Sequence, residues 1–381
     1  MAGIFQSFKL LKMKIGFDGK RTTQNFTGLG NYGRYVIKLL VKFFPENQYS
    51  IYALKNPVSG LIIPSVDYHF PDSKFLKAYW RSYGIISDLK KHKIDLYHGL
   101  SNEIPFSLKK AGIRSVVTIH DLIFLRYPEY YPFIDRKIYE YKFRNAASNA
   151  DKVIAISQQT KRDLMQYFGT EEDRIEVIYQ NCDPIYYTMV SDEDKFQIRK
   201  KYNLPKNYIL NVGTIEERKN LILTLKALKE LKDIHLVVVG KETSYSKRVK
   251  DYIKNNGLIN RVHFLKNTVQ TDLPGIYQQA EIFIYTSKFE GFGIPIIEAL
   301  RSGVPVIAAK GSCLEEAGGI GSIYVDPDDS TDLATQIQLL LANQTRKQKM
   351  ISDGYEHLKN LEDEKIAEQL MSLYNNILNN A

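Results

Sequence analysis

The residues best suited to chemistry lie in the segment F-E-G-F-G-I-P-I-I-E-A-L, which occupies positions 289–300. A glycine turn there precedes a predicted helix, in which Pro295 suits the first position. Free amides at a helix N-terminus bind anions, but the two carboxylates beside them, Glu290 and Glu298, would repel a phosphate unless they faced hydroxyl groups. The segment therefore indicates a ligand that combines phosphate with many hydroxyls, such as a nucleotide-sugar. The alternative is a structural helix whose acids stabilise its positive end.

Two adjacent cations, Arg218 and Lys219, lie in the segment G-T-I-E-E-R-K-N, which follows the apolar run Tyr208–Val212. Cations at the carboxyl end of a strand would stabilise a diphosphate whose charge grows as a bond to it breaks. Neighbouring basic residues are common, so the pair alone says little. It gains weight because the segment around Glu290 also follows an apolar run, Ile282–Tyr285, and so reaches the same predicted sheet edge.

A histidine and an acid, His120 and Asp121, follow a third apolar run, Ser115–Ile119. Open α/β sheets bind their ligands at the carboxyl ends of the strands. A histidine there can bond a sugar hydroxyl, and Asp121 can fix its tautomer or contact the ligand. The alternative is a structural His–Asp turn.

The letters G-L-G-N-Y-G at positions 28–33 match the pattern G-x-G-x-x-G. A dinucleotide site needs that pattern directly after a strand, with an acid about 20 residues later for the ribose. Here a polar loop, 19–31, intervenes and the next strand ends without an acid, which argues against NAD. What remains is a glycine loop before a predicted helix, Tyr32–Phe44, where Gly30 could approach a phosphate or a sugar.

The letters D-P-D at positions 326–328 have the D-x-D form of some manganese sites, but proline and acids also suit a turn, which we favour. Histidines and cysteines show no spacing typical of metal ligands, so the sequence predicts no metal site. The two cysteines, Cys182 and Cys313, cannot form a disulfide framework, which fits a reducing cytosol.

These segments need strands that end side by side, and apolar runs separated by helical segments supply them. The predicted strands are Met13–Asp18, Tyr49–Leu54, Ile94–His98, Ser115–Ile119, Lys152–Ile156, Ile175–Ile178, Tyr208–Val212, His235–Val239, Arg261–Leu265, Ile282–Tyr285, Val304–Ala308 and Ser322–Val325. This alternation predicts two doubly wound α/β domains, 13–190 and 191–361, with a linker near 183–205. A last helix within 362–381 is expected to pack on another surface.

The chain has 381 residues, which suits two domains better than one core. Its net charge of +9 lies wholly in residues 1–190, because cations and acids are equal in number in 191–381. The first half is therefore expected to meet something acidic, such as anionic lipid, a lipid-linked diphosphate or nucleic acid, unless it is an ordinary basic surface. No apolar run is long enough to span a bilayer, and residues 1–12 are typical of an upstream start or a weak amphipathic contact, not of a secretory signal.

Taken together, the segments resemble a known family. Glu290 and Glu298, with seven residues between them, are similar to the E-x7-E signature of retaining glycosyltransferases of family 4, the group 1 transferases with the GT-B fold. The segments S-G-V-P-V-I after it, V-G-T through R-K-N, T-I-H-D and A-I-S also resemble that family. The likeness extends over residues 13–375.

The resemblance implies two Rossmann-like domains that face a cleft, with a last helix that crosses back to the first domain. The N-terminal domain would bind the acceptor and the C-terminal domain the nucleotide-sugar. By position, it implies that Glu298 holds the ribose hydroxyls. Glu290 and the amides of Phe292, Gly293 and Ile294 would meet the donor sugar and its diphosphate.

The resemblance also implies that Arg218 and Lys219 neutralise the leaving phosphates. Gly30 would lie near the diphosphate, and His120 would contact the transferred sugar. Many relatives have an arginine just after the glycine at position 213, where this chain has Thr214. Neutralisation is therefore expected to depend mainly on Arg218 and Lys219.

The sequence thus favours a retaining, metal-independent hexosyltransferase that needs no cofactor besides its nucleotide-sugar donor. GDP-mannose is the first choice of donor and a UDP-hexose the second. The expected acceptor is a glycan or lipid-linked glycan of cell-surface polysaccharide synthesis, reached in the cytoplasm or at the inner membrane face through a peripheral contact of the basic N-terminal domain. No nucleic acid is expected as a partner. The alternatives are a sugar-nucleotide epimerase or a phosphorylase of the same fold, and a non-catalytic basic protein that binds nucleic acid or membrane. No residue is an obvious nucleophile, and Glu290 is the debated candidate.

Overall fold

The computed structural model describes residues 12–72 and 77–379, so the expected contact of residues 1–12 lies almost wholly outside it. The described chain forms two parallel sheets, the first of seven strands in the order β3-β2-β1-β4-β5-β6-β7. These strands are β1 (Lys14–Asp18), β2 (Gln48–Tyr52), β3 (Asp67–His69), β4 (Leu96–Gly99), β5 (Arg114–Ile119), β6 (Lys152–Ala155) and β7 (Ile175–Val177). Their helices are α1 (Gly28–Phe43), α2 (Lys77–Tyr79), α3 (Ile85–Lys91), α4 (Ile123–Arg126), α5 (Phe133–Asn149) and α6 (Gln158–Asp163), with π-helical turns at Trp80–Gly84 and Leu164–Phe168.

The second sheet has six strands in the order β10-β9-β8-β11-β12-β13. These are β8 (Tyr208–Val212), β9 (His235–Val239), β10 (Val262–Leu265), β11 (Ile282–Tyr285), β12 (Val306–Ala309) and β13 (Ile323–Val325). The helices of this part are α7 (Asp192–Tyr202), α8 (Leu221–Glu230), α9 (Ser246–Asn255), α10 (Leu273–Gln278), α11 (Ile294–Arg301), α12 (Leu314–Gly318), α13 (Ser330–Leu341), α14 (Gln344–Leu358) and α15 (Asp363–Asn379). The two doubly wound α/β domains predicted from the sequence are confirmed.

Several strands are buried on both faces, which explains why their bounds could be predicted from the sequence. In β9 the run L-V-V-V is buried along its whole length, and all four residues of β11 are buried as well. Helices cover both faces of such parallel sheets, so their strands become continuous apolar runs. Accordingly, β8, β9 and β11 have the bounds predicted from the sequence.

Two predictions in the first domain were wrong. The short edge strand β3, with the sequence D-Y-H, was missed because its three residues are polar or only partly buried. Helix α1 begins at Gly28 instead of Tyr32, so part of the expected loop is helical and the glycine pattern lies inside the first turns of the helix. The helix extends over these glycines because they pack closely against the preceding loop, as described below.

The C-terminal helix α15 packs on the first domain. Its Tyr374 hydroxyl lies 2.7 Å from Nδ1 of His98 in β4, and the Tyr35 hydroxyl of α1 donates to Asp363 at 3.0 Å. Buried apolar residues of α15, among them Leu370 and Met371, complete this contact. The division of roles between residues 13–190 and 191–361 stays a prediction.

Within the ranges that the structure describes, no helix is both long and apolar enough to cross a bilayer.

Candidate active site

The carboxyl ends of β8 and β11 determine which side chains of the second domain can meet. The two strands are hydrogen-bonded neighbours, so the segments that follow them leave the sheet side by side. The first segment carries Arg218 and Lys219, and the second carries Glu290. The structure brings all three side chains into direct contact.

Glu290 is the centre of this cluster. Its Oε2 lies 2.8 Å from the Arg218 guanidinium, and its Oε1 lies 2.5 Å from Nζ of Lys219. Oε1 also accepts hydrogen bonds from the Ser287 hydroxyl at 2.6 Å and from the Tyr285 hydroxyl at 3.1 Å. The residue is only 9% exposed, and its four partners hold the carboxylate in one orientation.

The electrostatics of the cluster follow from those contacts. Burial alone would raise the pKa of Glu290, but the positive charges of Lys219 and Arg218 lower it to about 2. Glu290 is therefore ionised at neutral pH, and the two cations, whose side chains are 15% and 17% exposed, have a buried counter-ion. Arg218 also pairs with the more exposed Glu216 at 2.6 Å.

Helix α11 begins directly after this cluster. Its N-cap, Gly293, has φ = 130°, a conformation that side chains rarely adopt. Ile294 is the first helical residue and Pro295 the second, one position later than expected. The first amides of a helix have no carbonyl within the helix to bond, so the amides that follow Phe292 add a partial positive charge beside Arg218 and Lys219.

Glu298 lies one turn into α11, as its spacing predicted. The Tyr277 hydroxyl donates to its Oε2 at 2.7 Å, and the Tyr186 hydroxyl is close enough to the same carboxylate to lower its pKa. Burial raises the pKa of Glu298 to about 7, although both tyrosines oppose that shift. The two acids of the E-x7-E segment thus have opposite environments, one beside cations and one among phenols.

His120 follows β5 in the first domain. Its Nε2 lies 2.9 Å from the Leu100 carbonyl, which can only accept, so the proton is on Nε2 and Nδ1 keeps its lone pair. The Asn102 side chain accepts a hydrogen bond from the His120 backbone amide at 2.7 Å. The Tyr32 ring packs edge-on against the imidazole, with ring centroids 4.6 Å apart. Burial lowers the pKa of His120 to about 4, which keeps the ring neutral at pH 7.

The Leu100 carbonyl, and not Asp121, fixes the tautomer of His120. Oδ1 of Asp121 instead accepts a hydrogen bond from the Ile123 amide at 3.1 Å, at the start of α4. Burial raises the pKa of Asp121, and the positive charge of Arg218 opposes the shift. The side chain therefore lies within the electrostatic field of Arg218 on the other domain.

The two domains touch at this site. A Cβ on Gly291 would lie 2.4 Å from the carbonyl oxygen of His120, so the glycine turn passes directly over that backbone. Phe292 stacks on Tyr179 of the first domain with ring centroids 5.3 Å apart. Glu316 of α12 accepts hydrogen bonds at 2.6 and 3.0 Å from the first two amides of α6. His120 and Glu290 therefore lie on the two sides of one domain contact.

Gly30 has a packing role in the structure. It lies in the first turn of α1, where a Cβ would lie 2.0 Å from the carbonyl oxygen of Asn25. Only glycine lets the preceding loop approach the helix this closely. Its expected place near a diphosphate stays a prediction.

The D-x-D letters form a turn. The Asp328 amide donates to the Asp326 carboxylate at 3.0 Å, and these acids pair with Lys288 at 2.9 Å and Lys310 at 3.2 Å. Within residues 12–72 and 77–379, no three His, Cys, Asp or Glu side chains group in a way that could hold a metal ion.

Several residues of the site were not found from the sequence. Tyr285 and Ser287 bond Glu290, Tyr186 and Tyr277 surround Glu298, and Cys313 donates to the Glu290 carbonyl at 2.9 Å. Tyr285 and Ser287 lie at the carboxyl end of β11, so their position was a usable signal. The others come from distant segments that only the fold brings together.

Two family models cover most of the chain: "Glycosyl transferases group 1" matches residues 192–357, and "Glycosyltransferase Family 4" matches residues 43–184. The chain is therefore a glycosyltransferase. It is similar to O-antigen chain mannosyltransferase B of Escherichia coli, 26% identical over 75% of each chain. It is also similar to the O-antigen chain mannosyltransferase RfbU of Salmonella typhimurium, 28% identical over 58% of this chain and 59% of that one.

Among solved structures, the Anabaena protein HepE, in complex with UDP and glucose, superposes with a TM-score of 0.76. The match covers 95% of this glycosyltransferase and 99% of HepE at 19% identity. At that identity the likeness concerns the fold, and it confirms the GT-B architecture that the family resemblance implied.

Proposed function

We propose that this glycosyltransferase moves a hexose from a nucleotide-sugar to a glycan acceptor with retention of configuration and without a metal ion. The observation that carries the proposal is the cluster of Arg218, Lys219 and Glu290 beside the N-terminus of α11. Two largely buried cations lie there, next to the segment that leads into the first turn of the helix. That is the environment that a departing diphosphate needs.

Departure of the nucleoside diphosphate is the step that these groups assist. As the bond between the sugar carbon and the phosphate oxygen breaks, negative charge grows on the diphosphate. Arg218 and Lys219 donate charge-assisted hydrogen bonds to it, and the amides at Gly293 and Ile294 add two more donors. The exposed Glu216 releases Arg218 when the stronger anion arrives.

Glu290 holds these cations in place and is poorly suited to be a nucleophile. Both its oxygens are bonded to cations or hydroxyls, and its pKa of about 2 makes it a weak base. We therefore favour attack of the acceptor hydroxyl on the same face of the sugar from which the diphosphate leaves. The departing phosphate oxygen then takes the proton of that hydroxyl.

The other site residues bind the rest of the donor. Glu298 accepts hydrogen bonds from the two ribose hydroxyls. These hydroxyls would replace the phenols of Tyr186 and Tyr277 as its partners. His120 is neutral, and its Nδ1 takes no part in the bond to Leu100. Nδ1 therefore accepts a hydrogen bond from a hydroxyl of the transferred sugar. Asp121 lies beside it and contacts the same sugar.

Mannose from GDP-mannose is our first choice of donor because two curated relatives are O-antigen chain mannosyltransferases. A UDP-hexose is second, since HepE is described in complex with UDP and glucose. The same relatives support a role in cell-surface polysaccharide synthesis, with a glycan or lipid-linked glycan as acceptor. The activity would then take place in the cytoplasm at the inner membrane face.

A peripheral membrane contact would use α5. Phe133, Ile134 and Ile138 of that helix are 64%, 71% and 45% exposed, and Arg136 and Lys137 lie between them, together with Asp135. Exposed apolar side chains among cations suit the interface of an anionic bilayer. The excess positive charge of residues 1–190 favours the same surface.

A thermal-shift panel of GDP-, UDP-, ADP- and dTDP-sugars in EDTA tests the proposal. We expect one nucleotide base to give the largest rise in melting temperature, with GDP-mannose leading. Lys219→Ala should lose that rise and also the slow hydrolysis of the donor. Lys250→Ala is the matched control, because its partner Glu242 lies on the surface outside the cluster. Equal shifts with all four bases, or full donor hydrolysis by Lys219→Ala, would contradict the assignment.

A further inference from the structure

Four aromatic rings form a row on the surface of the first domain. Tyr79 stacks on Tyr83 with ring centroids 5.6 Å apart, Tyr83 stacks on Phe106 at 5.4 Å, and Phe106 contacts Tyr141 at 5.8 Å. The three tyrosines are 59%, 46% and 65% exposed. A contiguous exposed surface of aromatic rings marks a binding site, unlike single exposed apolar side chains, which are common. We call these four residues the aromatic row.

A small polar cavity lies beside the aromatic row. It is lined by Arg81, Glu103 and Lys142, together with Tyr97 and Phe106. The free space is about 20 Å³, enough for one water or one hydroxyl group. Arg81 pairs with Glu103 at 2.5 Å, whereas Lys142 lies 3.5 Å from the same carboxylate and keeps donors to spare. The cavity thus offers both donors and acceptors.

One loop connects the aromatic row to the proposed active site. The loop begins after β4, and its Leu100 carbonyl and Asn102 side chain bond His120. It ends at Phe106, whose amide donates to the Ser82 carbonyl at 3.0 Å and so joins the loop to the π-helical turn Trp80–Gly84. His120 lies at one end of this loop and the aromatic row at the other.

We propose that the aromatic row and its cavity are the acceptor subsite, which binds pyranose rings of the acceptor glycan. This inference rests on the proposed function, since it assumes that His120 marks the position of the transferred sugar. The apolar faces of pyranose rings pack against the exposed parts of Tyr79, Tyr83 and Tyr141, and one sugar hydroxyl enters the cavity to bond Lys142 and Glu103. A few well-placed polar groups beside aromatic walls are typical of sites that bind small ligands.

Charge favours a glycan over a lipid surface here. The group around the cavity contains two carboxylates, Asp18 and Glu103, next to the cations Arg81, Lys20 and Lys142. Mixed charges suit neutral hydroxyls, and the two carboxylates weaken the attraction that the three cations would exert on an anionic bilayer. The first turns of α5, where Phe133, Ile134 and Ile138 are exposed, are the better membrane contact.

The protein carries its own reporter for this site. Trp80 is its single tryptophan, it is half-buried, and it adjoins Tyr79 in the chain. We would titrate the full-length protein with mannobiose, mannotriose and mannotetraose, with maltotetraose as a second sugar, and follow Trp80 fluorescence and saturation-transfer NMR. We expect saturable binding that tightens with chain length.

Variants separate stacking from other roles. Tyr83→Ala should weaken glycan binding about tenfold, as truncation of a central binding residue does, and should raise the acceptor KM with little change in kcat. Tyr83→Phe should keep the affinity, because it retains the ring, and Tyr141→Ala repeats the test from a different element. Phe196→Ala, an equally exposed aromatic on α7, is the control and should bind normally.

Two outcomes would overturn the proposal. One is unchanged glycan affinity in both Tyr83→Ala and Tyr141→Ala, or no glycan binding by either readout. The other is a loss of binding to phosphatidylglycerol-containing vesicles in Tyr83→Ala with unchanged glycan affinity, which would make the row a membrane contact. Failure of the proposed function looks different, because donor hydrolysis would then be absent while the glycan still binds through the aromatic row.

Discussion

Replacing Glu290 with glutamine tests the charge cluster directly. The side chain keeps its size, but Arg218 and Lys219 lose their buried counter-ion. The pKa of Glu290 falls from 4.5 to about 2 in the folded protein, a difference worth about 3 kcal/mol of stability at pH 7. Breaking a buried ion pair by removing one partner costs a similar amount, about 3–5 kcal/mol.

For a domain of this size, about 3 kcal/mol corresponds to a melting temperature lower by roughly 6–12 °C. We would measure it by differential scanning calorimetry at pH 7. Since the folded pKa is the lower one, the stabilisation is complete above pH 4.5 and is lost as the pH falls towards 2, so the gap between the two proteins should narrow in acid. Glu242→Gln, which breaks an exposed pair with Lys250, is the control and should melt like the wild type.

Ligand binding should respond in the opposite sense. With no carboxylate between them, Arg218 and Lys219 attract a nucleoside diphosphate more strongly, so GDP should raise the melting temperature of Glu290→Gln by more than that of the wild type. The reasoning is refuted if the variant melts like the Glu242→Gln control. It is also refuted if GDP stabilises the variant less than the wild type.

Three further predictions concern the cleft. Gly291→Ala places a Cβ 2.4 Å from the His120 carbonyl oxygen, so we expect it to misalign the domains and to slow transfer roughly a hundredfold while GDP affinity is kept. Normal turnover in a steady-state assay would speak against the closed arrangement. The pKa of Glu298 is about 7, so GDP affinity measured by calorimetry should rise between pH 6 and 8 as the carboxylate forms. In Glu298→Gln the affinity should not change with pH. A wild-type affinity that does not change with pH would exclude the ribose role of Glu298. Glu316→Gln weakens the bond to the α6 amides and should increase the radius of gyration in X-ray scattering, and an unchanged radius would show that this contact does not hold the domains together.

Much of the fold could be predicted because its central strands are buried on both faces. Such strands are continuous apolar runs, and the residues that follow them must reach one sheet edge. That rule placed Arg218, Lys219 and Glu290 correctly at one edge. The ion pairs among them could not be predicted, because the order of strands in the sheet, which makes β8 and β11 neighbours, is not visible in a local pattern.

Contacts between distant segments explain what the sequence missed. Tyr186 reaches Glu298 from the segment that joins the two domains, and Glu316 reaches α6 across the cleft. The aromatic row combines Tyr83, Phe106 and Tyr141 from three separate elements. None of these pairs has a characteristic spacing in the sequence, so only packing could show them.

The most direct test of the central claim is the anomeric configuration of the sugar released from the donor. The purified protein would be incubated with α-linked GDP-mannose and EDTA, and the first minutes of hydrolysis followed by proton NMR before mutarotation. We predict that GDP and α-mannose appear together, and that Lys219→Ala releases neither. First release of β-mannose, or a strict need for a divalent cation, would contradict a retaining, metal-independent transfer at this site.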